Sequence, residues 1–266
     1  MLLASLVLLP IAIKNLKSLK KKDIKSLLIA GFIGSFIPAF LFTKAQTRID
    51  SAMAGMLNSL TPVFALVIGL LFHKTKTGWR QVIGLLIGLV GAVGLISLGE
   101  GVSLKNINTY ALFIVLATLM YGINMNVIKS SLTHLSGAQI TSLSFMFLWP
   151  IALAYLLTTD FKPVMENPDW HLHLLALAAL GIIGTAFAVL LMNSLIRYSS
   201  AVFATSVTYI IPIFAIMWGV IDGERITILH VACMTVIMIG VYLINSRQKS
   251  QVGTHNCVRE NTGKIM

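Results

Sequence analysis

The chain has 266 residues, 57% hydrophobic and only 11% charged, with a mean hydropathy of +0.88. Soluble domains carry about 25% charged residues, so this composition excludes an ordinary soluble enzyme, a disordered chain and a nucleic-acid-binding domain. The net charge of +11 reads instead as the excess of Lys and Arg that membrane proteins hold on their cytoplasmic side.

Apolar stretches follow one another at approximately 1–13, 26–44, 51–72, 80–98, 108–128, 136–158, 172–194, 200–221 and 226–245. They are numbered here as spans one to nine. A bilayer-spanning helix needs about 20 apolar residues, and unbroken hydrophobicity excludes barrel strands, which alternate every second residue. The expected fold class is an all-α membrane protein of about nine transmembrane helices. Residues 246–266 are polar and turn-rich and are expected to form a disordered cytoplasmic tail. The lysines of the first segment follow its apolar run, the reverse of a signal peptide.

Assigning the loops to alternate sides divides the basic residues 15 to 5. The richer side holds the run Lys14–Lys25 and the C-terminus, which places both in the cytoplasm, with an inner-membrane location. The acids divide the other way, 2 to 7.

A shift of 150 lays spans two and three onto spans seven and eight. It pairs Gly31/Gly181, Gly34/Gly184, Pro62/Pro212, Phe64/Phe214, Ala65/Ala215 and Gly69/Gly219. Matching spans are five apart, an odd number, so the halves run in opposite directions through the membrane, as in many secondary transporters. The halves are 1–99 and 108–245; the second has five spans and the first four. The expectation is a ten-helix parent fold truncated at the N-terminus, with span one too short to cross the bilayer unaided and poorly packed.

Polar residues within the spans are the candidates for a site. In span three Ser51, Gly55, Asn58, Pro62 and Gly69 fall on one helical face, and span eight repeats the stripe as Ala201, Thr205, Thr208, Pro212 and Gly219. Small residues serve close helix packing; a proline also frees a backbone carbonyl, and asparagine in a bilayer must face something polar. Asn58 and Thr208 are repeat mates. The expected substrate cavity is lined by Asn58, Tyr121, Asn124, Thr208, Tyr209 and Asn193, with helix breaks at Pro62 and Pro212. Tyr121 and Asn124 share a face of span five, whereas Asn126 points elsewhere. For each asparagine the competing reading is a helix-to-helix hydrogen bond. Gly84, Gly88, Gly91 and Gly94 make a packing surface on span four, within the fold or between the protomers of a homodimer.

No acid lies deep in a span, and neither metal-ligand spacing nor a nucleophile motif occurs. No enzyme activity, metal, cofactor or nucleic acid is expected. With no charge in the cavity, a neutral or zwitterionic metabolite is the favoured substrate.

The stretches SAMAGMLNSLTPVFALVIGL, Ser51–Leu70, and SAVFATSVTYIIPIFAIMWGVIDGER, Ser200–Arg225, resemble EamA-type members of the drug/metabolite transporter superfamily. Each has a small-residue helix start and a Pro-hydrophobic-Phe-Ala core, and the second ends in the Gly223–Glu224–Arg225 turn. The first half departs from this pattern, with Lys74 at the place of Glu224. The resemblance implies ten helices in two inverted halves, a central cavity, and export or exchange of small metabolites by alternating access. The competing reading is a non-transporting membrane protein or an inactive truncated fragment of such a transporter.

Overall fold

The computed structural model describes residues 1–73, 78–98, 109–159, 166, 168–198 and 201–245; side chains are not described at 73, 197, 198 and 201–209. The sequence-predicted tail 246–266 and Lys74 lie outside the described residues. Within them every regular element is helical. The helices are α1 (Leu2–Asn15), α2 (Ile24–Gly31), α3 (Ile37–Ala45), α4 (Ser51–Asn58), α5 (Thr61–His73) and α6 (Trp79–Ser97). They continue as α7 (Thr109–Ser131), α8 (Gly137–Leu157), α9 (Trp170–Ala179), α10 (Ala188–Tyr198), α11 (Ala201–Ile221) and α12 (Ile228–Asn245). Among the described residues seven helical runs are long and apolar enough to cross a membrane, and the shorter stretch Ile210–Ile221 of α11 is apolar as well.

Two spans are continuous helices with a widened turn. A π-helical segment, Phe32–Phe36, joins α2 to α3, and another, Leu180–Phe187, joins α9 to α10. Under the repeat shift of 150 the first falls inside the second, beside Gly34 and its mate Gly184. The Thr185 hydroxyl donates to the Leu180 carbonyl at 3.0 Å, five residues back, as the wider turn requires.

The described chain forms two compact units that cut across the sequence halves. One contains Met1–Ile37 and Val127–Tyr198; the other contains Pro38–Asn126 and the described stretch from Ala201 to Asn245. Each unit therefore draws helices from both repeats.

In the first unit α1 rests on α8. Ala4, Leu8 and Ala12 are fully buried or nearly so, and Ala4 and Leu8 share a core with Phe145 and Ala186. Span one thus packs well, against the expectation: Ala4, Leu8 and Ala12 recur at every fourth position and give the helix one face to bury on its neighbour. Two close approaches use glycine. A Cβ on Gly31 would lie 3.1 Å from the Ser144 carbonyl oxygen, and one on Gly137 would collide with Ser194. Ser136 caps α8: its hydroxyl accepts the Gln139 N–H at 3.2 Å, while the Gln139 side chain accepts the Ser136 N–H at 2.8 Å.

In the second unit the expected glycine surface of α6 meets α12. A Cβ on Gly240 would lie 2.5 Å from the Gly88 nitrogen and 2.6 Å from the Gly84 oxygen, and one on Gly91 would lie 2.8 Å from Ile237. Gln81 fastens the end of this pair by donating to the Ile244 carbonyl at 3.2 Å. The surface that the sequence offered either to the fold or to a homodimer is, at these glycines, occupied within the chain.

Candidate functional site

Span three is one apolar helical run, Ser51–Phe72, interrupted by a two-residue turn. Helix α4 ends at Asn58, Ser59 and Leu60 form a turn, and α5 begins at Thr61 with the buried Pro62 as its second residue. Proline has no N–H, so the carbonyl four residues back loses its helical donor. That carbonyl belongs to Asn58, and the Thr61 hydroxyl donates to it at 2.9 Å. The Leu60 N–H turns back to the Leu57 carbonyl at 3.0 Å, closing the turn. The break thus sits one helical turn before the proline, on the residue whose carbonyl the proline sets free.

Both sides of the break are held. On one side α4 lies across α11, where a Cβ on Gly55 would strike Ala215 and one on Gly219 would lie 2.7 Å from Ala52. On the other side α7 lies on α5. A Cβ on Gly122 would lie 2.8 Å from the Ala65 nitrogen, and one turn later Asn126 donates its amide N–H to the Ala65 carbonyl at 2.9 Å. Two glycines of the stripes therefore serve packing, and Asn126 ties two helices together.

The N-terminus of α4 has a carboxylate cap from far along the chain. Helix α11 ends in a left-handed turn: Gly223 has φ of 76°, its N–H donates to Val220, and the Glu224 N–H donates to Gly219. The Glu224 side chain is thereby brought to the first residues of α4. It accepts the Ser51 N–H at 2.7 Å, the Ser51 hydroxyl at 2.6 Å and the Ala52 N–H at 2.9 Å. Partial burial pushes the Glu224 carboxyl upward, but the Ser51 hydroxyl and the two backbone N–H groups outweigh this and hold it below its ordinary value. Helix N-termini favour such a charge.

The expected cavity residues are drawn from both units. Asn58, Tyr121 and Asn124 belong to the second unit, Asn193 to the first. Asn58 is half-buried, with its Oδ1 3.5 Å from the Thr61 hydroxyl. The Tyr121 ring lies 6.2 Å from that of Phe42. The Asn124 Oδ1 is buried with no partner, as is the Ser59 Oγ inside the break. Asn193 is buried, and its amide donates to the Thr141 hydroxyl at 2.9 Å, joining α10 to α8. Pro212 is buried inside α11. The side chains of Thr208 and Tyr209 lie outside the described residues.

Sequence reasoning missed Ser59, Thr61 and the partnership of Glu224 with Ser51. A threonine directly before a proline, three residues after an asparagine, was the available signal for the second. Buried polar atoms without partners are costly in a membrane interior, so among the described residues of this unit Ser59 and Asn124 have hydrogen-bonding capacity to spare. The break offers neutral donors and acceptors and no charge.

The EamA-like transporter family matches residues 1–97 and 108–246. An uncharacterized transporter of Archaeoglobus fulgidus is 25% identical over 229 residues, covering 86% of this chain and 80% of that one. Another, of Clostridium kluyveri, is 25% identical over 256 residues, covering 93% and 82%. The uncharacterized transporter YetK of Bacillus subtilis is 25% identical over 260 residues, covering 93% and 77%. A solved crystal structure shares the fold with a TM-score of 0.58 at 17% identity, covering 94% of this chain and 88% of that one. With the family matched over both repeats and the apolar helices to span a bilayer, this multi-pass chain belongs to the EamA-like transporter family.

Proposed function

We propose that the chain is a secondary transporter that moves a small neutral or zwitterionic metabolite across the inner membrane by alternating access, with its C-terminus in the cytoplasm. The observation that carries this reading is the broken span three. A helix interrupted inside a membrane must have its polar groups satisfied from within the protein or by a solute, and secondary transporters use such breaks to bind solutes. Here the buried Ser59 Oγ and Asn124 Oδ1 stand without a partner in the same unit as the half-buried Asn58. Such groups suit hydroxyl, amide or paired-charge solutes better than a lone strong charge. In this reading Tyr121 and the repeat mates Thr208 and Tyr209 complete the lining, and the prolines at 62 and 212 shape it. The basic residues, 15 against 5 between the two sides, support the orientation. The protein contributes differential binding in two conformations and no covalent chemistry.

The test is counterflow in vesicles holding the purified chain, screened with neutral, zwitterionic and charged metabolites. A neutral or zwitterionic solute should exchange. Asn58→Leu should slow that exchange about fivefold, the effect of one lost hydrogen bond of ordinary strength, at unchanged protein content. Full exchange by Asn58→Leu, or exchange of strongly charged solutes alone, would overturn the assignment.

A further inference from the structure

The connection between α1 and α2 is a strongly basic surface with an unusual construction. Residues 14–25 read KNLKSLKKKDIK, six lysines and one aspartate. All six lysines are exposed. The single acid is not available to them: Asp23 is 2% exposed, and its carboxylate contacts the His134 Nε2 at 2.9 Å and accepts the Lys20 N–H at 3.3 Å. Among the described residues, no carboxylate pairs with any of the six. The sequence thus buries its one counter-charge and presents the ammonium groups unneutralised.

The segment is also fastened at both ends. Gln139, in the first turn of α8, donates to the Asn15 side-chain oxygen and to the Ser18 hydroxyl, each at 3.2 Å. At the other end Asp23 is tied to His134, in the connection between α7 and α8. All these contacts lie within the first unit. Two short 3-10 turns, Leu16–Ser18 and Lys21–Asp23, fill the interval. Beside the lysines stand apolar groups that the fold leaves uncovered: Ile13 is 58% exposed and Leu16 is 42% exposed. A fastened segment of exposed lysines at the end of membrane-spanning helices, with aliphatic side chains alongside in the sequence, matches one environment. Anionic phospholipid offers phosphates for the lysines at the depth where its acyl chains meet Ile13 and Leu16. A nucleic acid or an acidic protein would satisfy the charges and leave the aliphatic groups in water.

We infer that residues 13–25 form a binding surface for anionic phospholipid headgroups, which holds this end of the first unit to the membrane interface. The inference rests on the membrane-spanning fold and is independent of any transport activity.

The test uses the purified full chain in detergent, titrated with dioctanoyl phosphatidylglycerol, dioctanoyl phosphatidylcholine or inorganic phosphate, with binding read by thermal shift and tryptophan fluorescence. The anionic lipid should bind about tenfold more tightly than the zwitterionic one. That preference should disappear when Lys17→Gln, Lys21→Gln and Lys22→Gln are combined. Combining Lys44→Gln, Arg80→Gln and Arg225→Gln removes the same charge from other exposed positions and should keep the preference within about twofold. Raising the salt should weaken the lipid preference of the unaltered chain severalfold, a reading that needs no variant to fold. The inference is overturned if the loop variant keeps the preference, if the control variant loses it equally, or if the preference ignores salt. It is also overturned if inorganic phosphate displaces the lipid at comparable concentration, which would mean a small-anion site.

Discussion

The Glu224 cap can be tested by removing one side chain. Glu224→Ala leaves three donors at the start of α4 without a partner: the Ser51 N–H, the Ser51 hydroxyl and the Ala52 N–H. A hydrogen bond to a charged group contributes about 1.5–3 kcal/mol. Solvent reaches this carboxylate and will partly replace it, which discounts that figure heavily, and loss of a helix cap costs about 1 kcal/mol by itself. The expected loss is about 2 kcal/mol, a factor of about 30 in the unfolding equilibrium. Glu224→Gln keeps one acceptor and should lose about half as much. Ser51→Ala should cost about 1 kcal/mol beside Glu224 and much less beside Glu224→Ala, since contacting residues do not act additively. The pH dependence has a definite sign. The folded carboxyl lies below its ordinary value of 4.5, so the cap is at full strength above that value and is lost as pH falls through the lower, folded one. Unfolding in mixed micelles, followed for the four variants at pH 7 and at pH 3 to 5, measures all of this. Equal stability of Glu224→Ala and the parent at pH 7, or fully additive losses with Ser51→Ala, would refute the reasoning.

Two further outcomes follow from the helix contacts. Gly240→Ala puts a methyl group against the backbone of Gly84 and Gly88 and should destabilise by about 1–3 kcal/mol, measured by the same unfolding; an unchanged transition would mean that the two helices separate readily. Asn126→Leu breaks the tie to the Ala65 carbonyl and should cost about 0.6–1.5 kcal/mol. Transport, where measurable, should fall less than with Asn58→Leu, and a loss of activity at full stability would place Asn126 in the solute site instead.

The spans were legible in the sequence because long unbroken apolar runs leave few structural choices, and the glycine face of α6 because small residues at helical spacing need a partner helix. The site was legible only in part. Pro62 announced a freed carbonyl, but the capture of that carbonyl by Thr61 and the placing of the break at Ser59–Leu60 depend on local geometry that hydropathy does not carry. Asn124 and Asn126 are alike in type and two residues apart. Only the packing of α7 on α5 separates the one that is bonded from the one that is not. The Gly-Glu-Arg turn was recognisable as a motif, but its target, Ser51, lies 173 residues away, and no local pattern points to it. The packing of span one was misjudged because its shortness was weighed without its Ala4–Leu8–Ala12 stripe.

The paired π-helical turns have a consequence for helical register. A π turn holds about one residue more than an α turn, so it displaces everything beyond it by about 100° around the axis. In spans two and seven the residues before and after the widened turn are therefore out of phase with a single helical period. The two widened turns coincide under the repeat shift, so both halves carry the same departure from the α-helical period at the same place. Deleting one residue beside Gly34 or Gly184 would restore an ordinary helix and turn the rest of the span away from its present neighbours.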